Sequence, residues 1–347
     1  MKKTLAALIV TAFAASAANA AVVYDNEGTK VELNGSLRLI MEKADKKVYN
    51  AANQSTKKAN SALRNAGSRF GITVKHNLDN DFYALGRLEF RFDDTTSRDK
   101  FGRLYAKRAY VGLGSKATGD ITFGRQLTIA DDLSQAVDYE YGFIPKSEYI
   151  PTAGTGVVRY DYKGIEGLQL SANYNFGQTN DEKGNPLKPG IKNAYAVGAL
   201  YTAGDLDARL AYGHTNFETG ASYAHRLDGV LASLGYKFGD FTLTGDFGYG
   251  HEKLDDAKVN KFYVSPGFAY QVVPASKVYG NYLYERAKGE SDKVKTHGFL
   301  LGADYKLHKQ VVLFVEGKYV TAKKYTNDAY DGKVKDRAIG VGMRVFF

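Results

Sequence analysis

Residues 31–42 read Val-Glu-Leu-Asn-Gly-Ser-Leu-Arg-Leu-Ile-Met-Glu, and apolar and polar side chains alternate along most of this stretch. Successive side chains of a β-strand point to opposite faces of the sheet, so the alternation predicts a strand with one apolar and one polar face. The same pattern returns at 68–76 and 82–92, where arginines occupy polar positions. These three segments therefore predict one sheet with a charged face.

The rest of the chain predicts further strands, which bring the total to sixteen. They fall at 103–114, 119–125, 156–163, 167–176, 192–202, 206–215, 225–238, 240–252, 260–272, 277–288, 295–305, 310–323 and 335–347. Short turns are predicted at 77–81, 114–119, 163–167, 202–206, 238–240, 273–276 and 307–309, and longer polar loops include 44–67, 177–191 and 324–334. Short turns on one rim and long loops on the other are typical of an outer-membrane β-barrel.

A soluble β-sandwich or propeller is the alternative, because its strands also alternate. Three features argue against it: the polar face carries full charges, the strands are long, and no blade-like repeat occurs. A charged inner face needs a lumen wide enough for water, which barrels of about sixteen strands provide. The predicted fold is all-β, a 16-stranded antiparallel transmembrane β-barrel.

The amino terminus predicts an export signal. Lys2 and Lys3 precede an apolar stretch from Leu5 to Ala14, and small residues end at Ala20. The apolar stretch is shorter than the ~20 residues that a membrane-spanning helix needs. We therefore predict a signal peptide at 1–20 and a barrel domain at 21–347.

The composition narrows the class of protein. The chain has no cysteine, and its net charge is +9, of which Lys2 and Lys3 contribute two, leaving +7 after cleavage. The basic residues are spread along the chain rather than clustered, and an exported protein rarely meets nucleic acid, so a nucleic-acid partner is not expected. A mean hydropathy of −0.36 and the lack of long apolar runs after the leader argue against helical membrane spans. The 37 glycines, 26 tyrosines and 19 phenylalanines suit many strands with aromatic belts.

Several motifs support a family resemblance. They are DNEGTKVELNG at 25–35, SRFG at 68–71, RAYVGL at 108–113, GDITFGRQ at 119–126 and VGMRVFF at 341–347. With them the mature chain resembles the general diffusion porins of Gram-negative bacteria, most closely the major porins of Haemophilus- and Pasteurella-type bacteria. The resemblance implies a homotrimer in the outer membrane that passes ions and small hydrophilic solutes by diffusion. It also implies contact with outer-membrane lipid and lipopolysaccharide, and assembly through the barrel assembly machinery, without a cofactor or metal.

The carboxy-terminal strand has an apolar face that ends at Phe347. By resemblance, this terminal aromatic residue is an assembly signal. Pairing of this strand with 31–42 would close the barrel and remove both sheet edges, which lipid does not tolerate. Six aromatic residues lie near strand ends: Tyr105, Phe123, Tyr160, Tyr174, Tyr201 and Tyr212. Such residues suit the two boundaries between the membrane and water. The alternative is that their rings point into the lumen and stack to form a sugar-binding surface.

The segment from 126 to about 155 does not alternate and is long for an unstructured connection. By resemblance it folds into the barrel and narrows it, with Asp138 and Glu140 as the acidic candidates on the lumen side. Inward parity selects the basic candidates opposite them: Arg38, Arg69, Arg87, Arg91, Arg108 and Arg159. Acids facing bases across a narrow gap create a transverse field that filters ions. The alternative for the acids is that they are solvated surface charges. The alternative for the bases is that they form salt bridges whose only role is to hold the loop.

Other classes of function have weaker support. An enzyme would need a nucleophile with a base or paired acids, yet the six histidines are scattered without metal-ligand spacing and no Gly-x-Ser-x-Gly elbow occurs. No room precedes the first strand for the plug of a gated transporter. Substrate-specific uptake remains the main alternative, and adhesion through external loops is compatible with a pore.

Overall fold

The protein is represented by a computed structural model that describes residues 20–93, 102–219 and 224–347. The predicted signal peptide lies outside the described residues except for Ala20, so its cleavage stays a prediction. No described helix combines the length and the apolar character needed to cross a membrane. The two short helices of the described ranges are 3₁₀ turns, η1 at Ile129–Asp132 and η2 at Lys146–Glu148.

Nearly all other regular structure in the described ranges is β-strand. The strands are β1 Ala21–Asn26, β2 Thr29–Tyr49, β3 Ser55–Asn65, β4 Arg69–Asn77, β5 Phe82–Phe92, β6 Leu104–Ser115, β7 Gly119–Leu127, β8 Ala153–Ile165, β9 Leu168–Asn175, β10 Gln178–Asn180, β11 Pro186–Ala203, β12 Leu206–Phe217, β13 His225–Phe238, β14 Phe241–Leu254, β15 Ala257–Val273, β16 Ser276–Lys288, β17 Asp292–His308, β18 Val311–Thr326 and β19 Ala329–Phe346. Each pairs antiparallel with its neighbours in one continuous sheet.

The sheet closes into a barrel of sixteen strands in the described part of the chain. Three of these barrel strands consist of two of the listed segments each, namely β3 with β4, β9 with β10, and β1 with β19. Both members of each pair are hydrogen-bonded to successive parts of the same neighbour, which is β2 for the first and third pairs and β11 for the second. The seam is hydrogen-bonded from Gly35 N–H to the Phe347 carbonyl at 2.8 Å and from Phe347 N–H to the Gly35 carbonyl at 3.1 Å. The predicted fold class, the sixteen strands and the pairing of the last strand with 31–42 are confirmed.

The alternation of the sequence becomes the two faces of the wall. On β2, Leu37 and Met41 are 59% and 65% exposed on the outer face, whereas Ser36, directly before Leu37, has lumen parity and is 1% exposed. Because the exterior of such a barrel meets hydrocarbon, these exposed apolar side chains lie where lipid or another subunit covers them. Of the predicted aromatic girdle, all members except the half-buried Tyr105 are exposed on the described surface.

The predicted long loops are wrong in one respect, because much of their length is strand. β2 continues to Tyr49 and β3 begins at Ser55, so the predicted loop 44–67 is mainly a hairpin. Likewise 177–191 contains β10 and the start of β11, and 324–334 shrinks to a turn at Asn327 and Asp328. Beyond the membrane both faces of a hairpin meet water, so the polar alternation disappears while the backbone ladder continues. The predicted short turns are confirmed within one or two residues.

Candidate functional site: the constriction of the lumen

Residues 128–152, here called the inner loop, lie inside the barrel against its wall. The loop begins with Thr128, whose hydroxyl accepts a hydrogen bond from Ala130 N–H and caps η1. Behind the cap an apolar cluster joins loop and wall: Ile129, Ala130, Leu133, Tyr149 and Ile150 of the loop with Ala196, Ala211, Leu231, Tyr263 and Leu283 of the strands. Burying one large apolar side chain contributes ~1.5–3 kcal/mol, so the cluster holds the base of the loop firmly.

The tip of the inner loop is held by one carboxylate. Glu316 of β18 is 0% exposed and accepts hydrogen bonds from the backbone N–H groups of Tyr139 at 2.7 Å, Glu140 at 2.8 Å and Tyr141. The Tyr279 hydroxyl donates a fourth bond at 2.9 Å. Successive amides that converge on one anion form a compact site in which each bond is charge-assisted. We call this arrangement the Glu316 latch.

Side chains of the loop make further bonds with the wall. The Tyr139 hydroxyl donates to Asp304 at 2.6 Å, the Tyr141 hydroxyl donates to Glu42 at 2.8 Å, and the Tyr139 ring stacks on Phe314 at 4.8 Å between centroids. These partners lie on β17, β2 and β18. The loop is therefore fixed across the lumen, as the resemblance implied.

A row of guanidinium groups lines the lumen beside the loop. Arg344 of β19 is the register partner of Arg38, and Arg38 Nε donates to Ser36 Oγ at 2.7 Å. Ser36 in turn pairs with Arg69, and Arg69 pairs with Arg91. We call the basic row Arg38, Arg69, Arg87, Arg91, Arg108 and Arg344.

Like charges directly opposite each other destabilise a sheet unless water or anions screen them. One carboxylate within the row, Glu89, offsets part of the repulsion. It accepts bonds from Arg87 at 2.8 Å and Arg91 at 2.6 Å, and it is the register partner of Arg108. The row therefore keeps a surplus of positive charge toward the lumen.

Arg159 is apart from this row. Its guanidinium donates to Asp161 at 2.9 Å and to Asp132 of the inner loop at 3.0 Å. Burial raises the pKa of the Asp132 carboxyl, and the Arg159 guanidinium opposes that rise. Arg159 thus joins the first residues of the inner loop to β8. This is the alternative role given above for the bases, a salt bridge that holds the loop.

The two acidic candidates differ in their surroundings. Glu140 contacts Arg64 of β3 at 2.6 Å, and Arg64 also contacts Glu42 at 2.9 Å. Asp138 is exposed, with its carboxyl group next to Gly142. The structure therefore groups five of the six predicted arginines and leaves their part in ion transport as a prediction.

Sequence reasoning missed several charged residues at the constriction: Arg64, Lys107, Glu182, Glu316 and Arg344. Arg344 and Glu316 have the inward parity of their strands and could have been found by parity alone. Arg64 lies in a segment that was predicted as loop. Glu182 lies on a loop distant in sequence from Lys107 and Arg108, and no local sequence pattern predicts its contact with them.

Comparison with known proteins decides the family. The family model described as Gram-negative porin matches residues 4–325. The chain belongs to the Gram-negative porin family. This porin is 31% identical to a major outer membrane protein of Pasteurella multocida over 100% of both chains. Its fold is similar to the trimer form of OmpT from Vibrio cholerae (TM-score 0.69, 19% identity, 92% and 100% of the chains) and to an anion-selective porin from Comamonas acidovorans (0.62, 18%, 92% and 100%).

The family and the closed barrel together establish what the protein does. It is a general diffusion channel of the outer membrane, with a lumen narrowed by the inner loop and bordered by the basic row. The comparisons indicate a channel rather than an enzyme.

Proposed function

We propose that the porin is a homotrimer of diffusion channels that prefer anions to cations. The basic row is the observation that carries the preference. Its six guanidiniums and the nearby Lys107 outnumber the two carboxylates that pair with them, Glu89 and Glu182. Glu140 instead contacts Arg64. A surplus of one charge in a narrow, low-dielectric passage raises the local concentration of the opposite ion.

The trimer is supported by the distribution of outward tyrosines. In the described residues, exposed tyrosines of the barrel wall lie on β8 to β18, at Tyr160, Tyr174, Tyr195, Tyr201, Tyr212, Tyr236, Tyr249, Tyr270, Tyr305 and Tyr319. From β19 through β2 to β7 the exposed face is aliphatic or carries phenylalanine, and Tyr24 on β1 is the exception. Tyrosine rings suit lipid headgroups, so an arc without them suits contact with other subunits. The OmpT relative is described in a trimer form.

Lipopolysaccharide is the proposed lipid partner. Outward bases pair across four strands above the apolar band: Arg286 with Lys295, Lys295 with Lys323, and Lys323 with Lys333. Such pairing of like charges suits a surface that binds phosphate groups at the outer boundary of the membrane. Phe347, hydrogen-bonded at the seam, is proposed as the signal read by the barrel assembly machinery, after removal of residues 1–20 during export.

Passive diffusion, without catalysis or a tight solute site, is the proposed mode of transport. Substrate-specific uptake would instead give currents or fluxes that saturate at low solute concentration. The described residues include no group of three or more potential metal ligands.

The experiment is a reversal-potential measurement on the mature porin in a planar bilayer under a KCl gradient. We expect each insertion event to contain three equal conductance levels, one for each channel of the trimer. We also expect the reversal potential to have the sign that a preference for chloride gives. Guanidiniums stay charged throughout the physiological range, so mild changes of pH should alter the result little. A channel that prefers cations, or insertion events with only one conductance level, would contradict the proposal.

A further inference from the structure

A second loop sends a carboxylate into the lumen. Glu182 lies between β10 and β11, and its carboxylate forms ion pairs with Lys107 Nζ and with Arg108 Nη1, the latter at 3.1 Å. Arg125 donates to the backbone carbonyl of Glu182 at 3.0 Å. Three basic residues of the wall therefore hold one acidic residue of an external loop.

The receiving side depends on an irregularity of β6. Glu89 pairs with Arg108 but the next residue, Phe90, pairs with Ala106, so Lys107 is the extra residue of a β-bulge. Bulges re-aim side chains, and this one lets two consecutive bases, Lys107 and Arg108, reach the same carboxylate. Lys107 also lies within electrostatic reach of Arg91 and Glu89, which places the pair beside the basic row.

The turn that presents Glu182 is organised by other residues. The Asp181 carboxylate accepts bonds from Lys183 N–H at 2.9 Å and Asn185 N–H at 2.8 Å. Lys183 is further held to Asp93 of the wall at 2.8 Å. The turn therefore has contacts that do not involve the Glu182 carboxylate, so neutralising that group tests its charge rather than the fold of the loop.

We propose that Lys107 and Arg108 form a binding site for the carboxylate or phosphate group of a permeating solute, and that Glu182 is a tethered competitor for that site. A solute anion makes the same charge-assisted contacts as the Glu182 carboxylate and replaces it during passage. Because Glu182 is attached to the chain, its carboxylate returns to the site whenever a solute anion leaves, so free anions exchange rapidly instead of staying bound. The inference deepens the proposed anion preference and rests on it.

The test compares Glu182→Gln with Glu218→Gln, a nearby external-loop carboxylate whose backbone N–H pairs with Gly190. Inorganic phosphate and succinate, added separately to a KCl solution, are the probes. With Glu182→Gln we expect the ratio of anion to cation permeability to rise by ~2-fold or more, and each probe to produce current interruptions at concentrations where the wild type shows none. Glu218→Gln should behave like the wild type.

A second pair of substitutions, Lys107→Gln and Arg108→Gln in the Glu182→Gln background, should remove the interruptions. If only phosphate interrupts the current, the site binds phosphates; if both probes do, it accepts either group. An unchanged permeability ratio together with no interruptions in Glu182→Gln would overturn this inference. Failure of the proposed anion preference is distinguishable, because it would appear as cation preference in the wild type.

Discussion

Replacing Arg38, Arg69 and Arg91 together with serine should lower the ratio of anion to cation permeability by about tenfold to a hundredfold. These three side chains are joined through Ser36 and strand register in one line along the lumen. A unit charge 8 Å away contributes ~2 kcal/mol at an effective dielectric constant of ~20, and salt at physiological strength screens it to less than ~1 kcal/mol. Three such contributions, in the same direction, account for about one to two units of the logarithm of the ratio.

The matched control removes the same charge from the outside of the barrel. Lys295, Lys323 and Lys333 are outward register partners on β17, β18 and β19, so their replacement with serine changes net charge equally without changing the lumen. Reversal potentials of both triple variants under the same KCl gradient provide the comparison. Equal shifts in the two variants would show that overall surface charge, and not the basic row, sets the preference.

Replacing Glu316 with leucine should release the tip of the inner loop. The substitution leaves three backbone N–H groups and the Tyr279 hydroxyl without their acceptor, a carboxylate that is 0% exposed. A hydrogen bond to a charged group contributes ~1.5–3 kcal/mol, so docking of the tip should weaken by ~5 kcal/mol or more. The apolar cluster at the base of the loop is separate, and the barrel should still close.

Single-channel recording measures this effect as noise. The Glu316→Leu channel should show larger fluctuations of open current and closures at lower voltage, because the tip moves within the lumen. Asp304→Asn is the control. Of the bonds between the loop and the wall it weakens only the one from the Tyr139 hydroxyl, and its other effect is on the contacts of Asp304 with Lys277 within the wall, so it should produce a smaller change. Quiet openings like those of the wild type in Glu316→Leu would contradict the role of the latch.

Most of the correct predictions from the sequence rest on the alternation of inward and outward side chains along each strand. The position of Arg38 between Leu37 and Leu39 sets it toward the lumen once the neighbouring side chains face lipid, and strand pairing then places Arg69 and Arg91 beside it. Ile40 has the same inward parity, although it is apolar and 0% exposed. It packs in a cluster with Tyr141 of the inner loop, so an apolar residue on a polar face marks a loop contact.

The sequence did not predict contacts that depend on where loops meet the wall. Glu140 was expected to face the predicted arginines, but it contacts Arg64, whose strand extends beyond the membrane and lacks apolar alternation. The approach of Glu182 to Lys107 depends on a β-bulge and on a turn built around Asp181. Both contacts, Glu140 with Arg64 and Glu182 with Lys107, join segments far apart in the chain, so local periodicity carries no information about them.

Single-channel conductance as a function of salt tests most directly that the barrel encloses a water-filled passage. The measurement uses the refolded mature porin in KCl from about 0.1 M to about 1 M, over which the Debye length falls from ~10 Å to ~3 Å. We expect conductance to rise with bulk conductivity without saturation, and to exceed strict proportionality at the lowest salt because the basic row concentrates chloride. A correctly folded barrel that conducts no current, or whose conductance saturates within this range, would contradict the account.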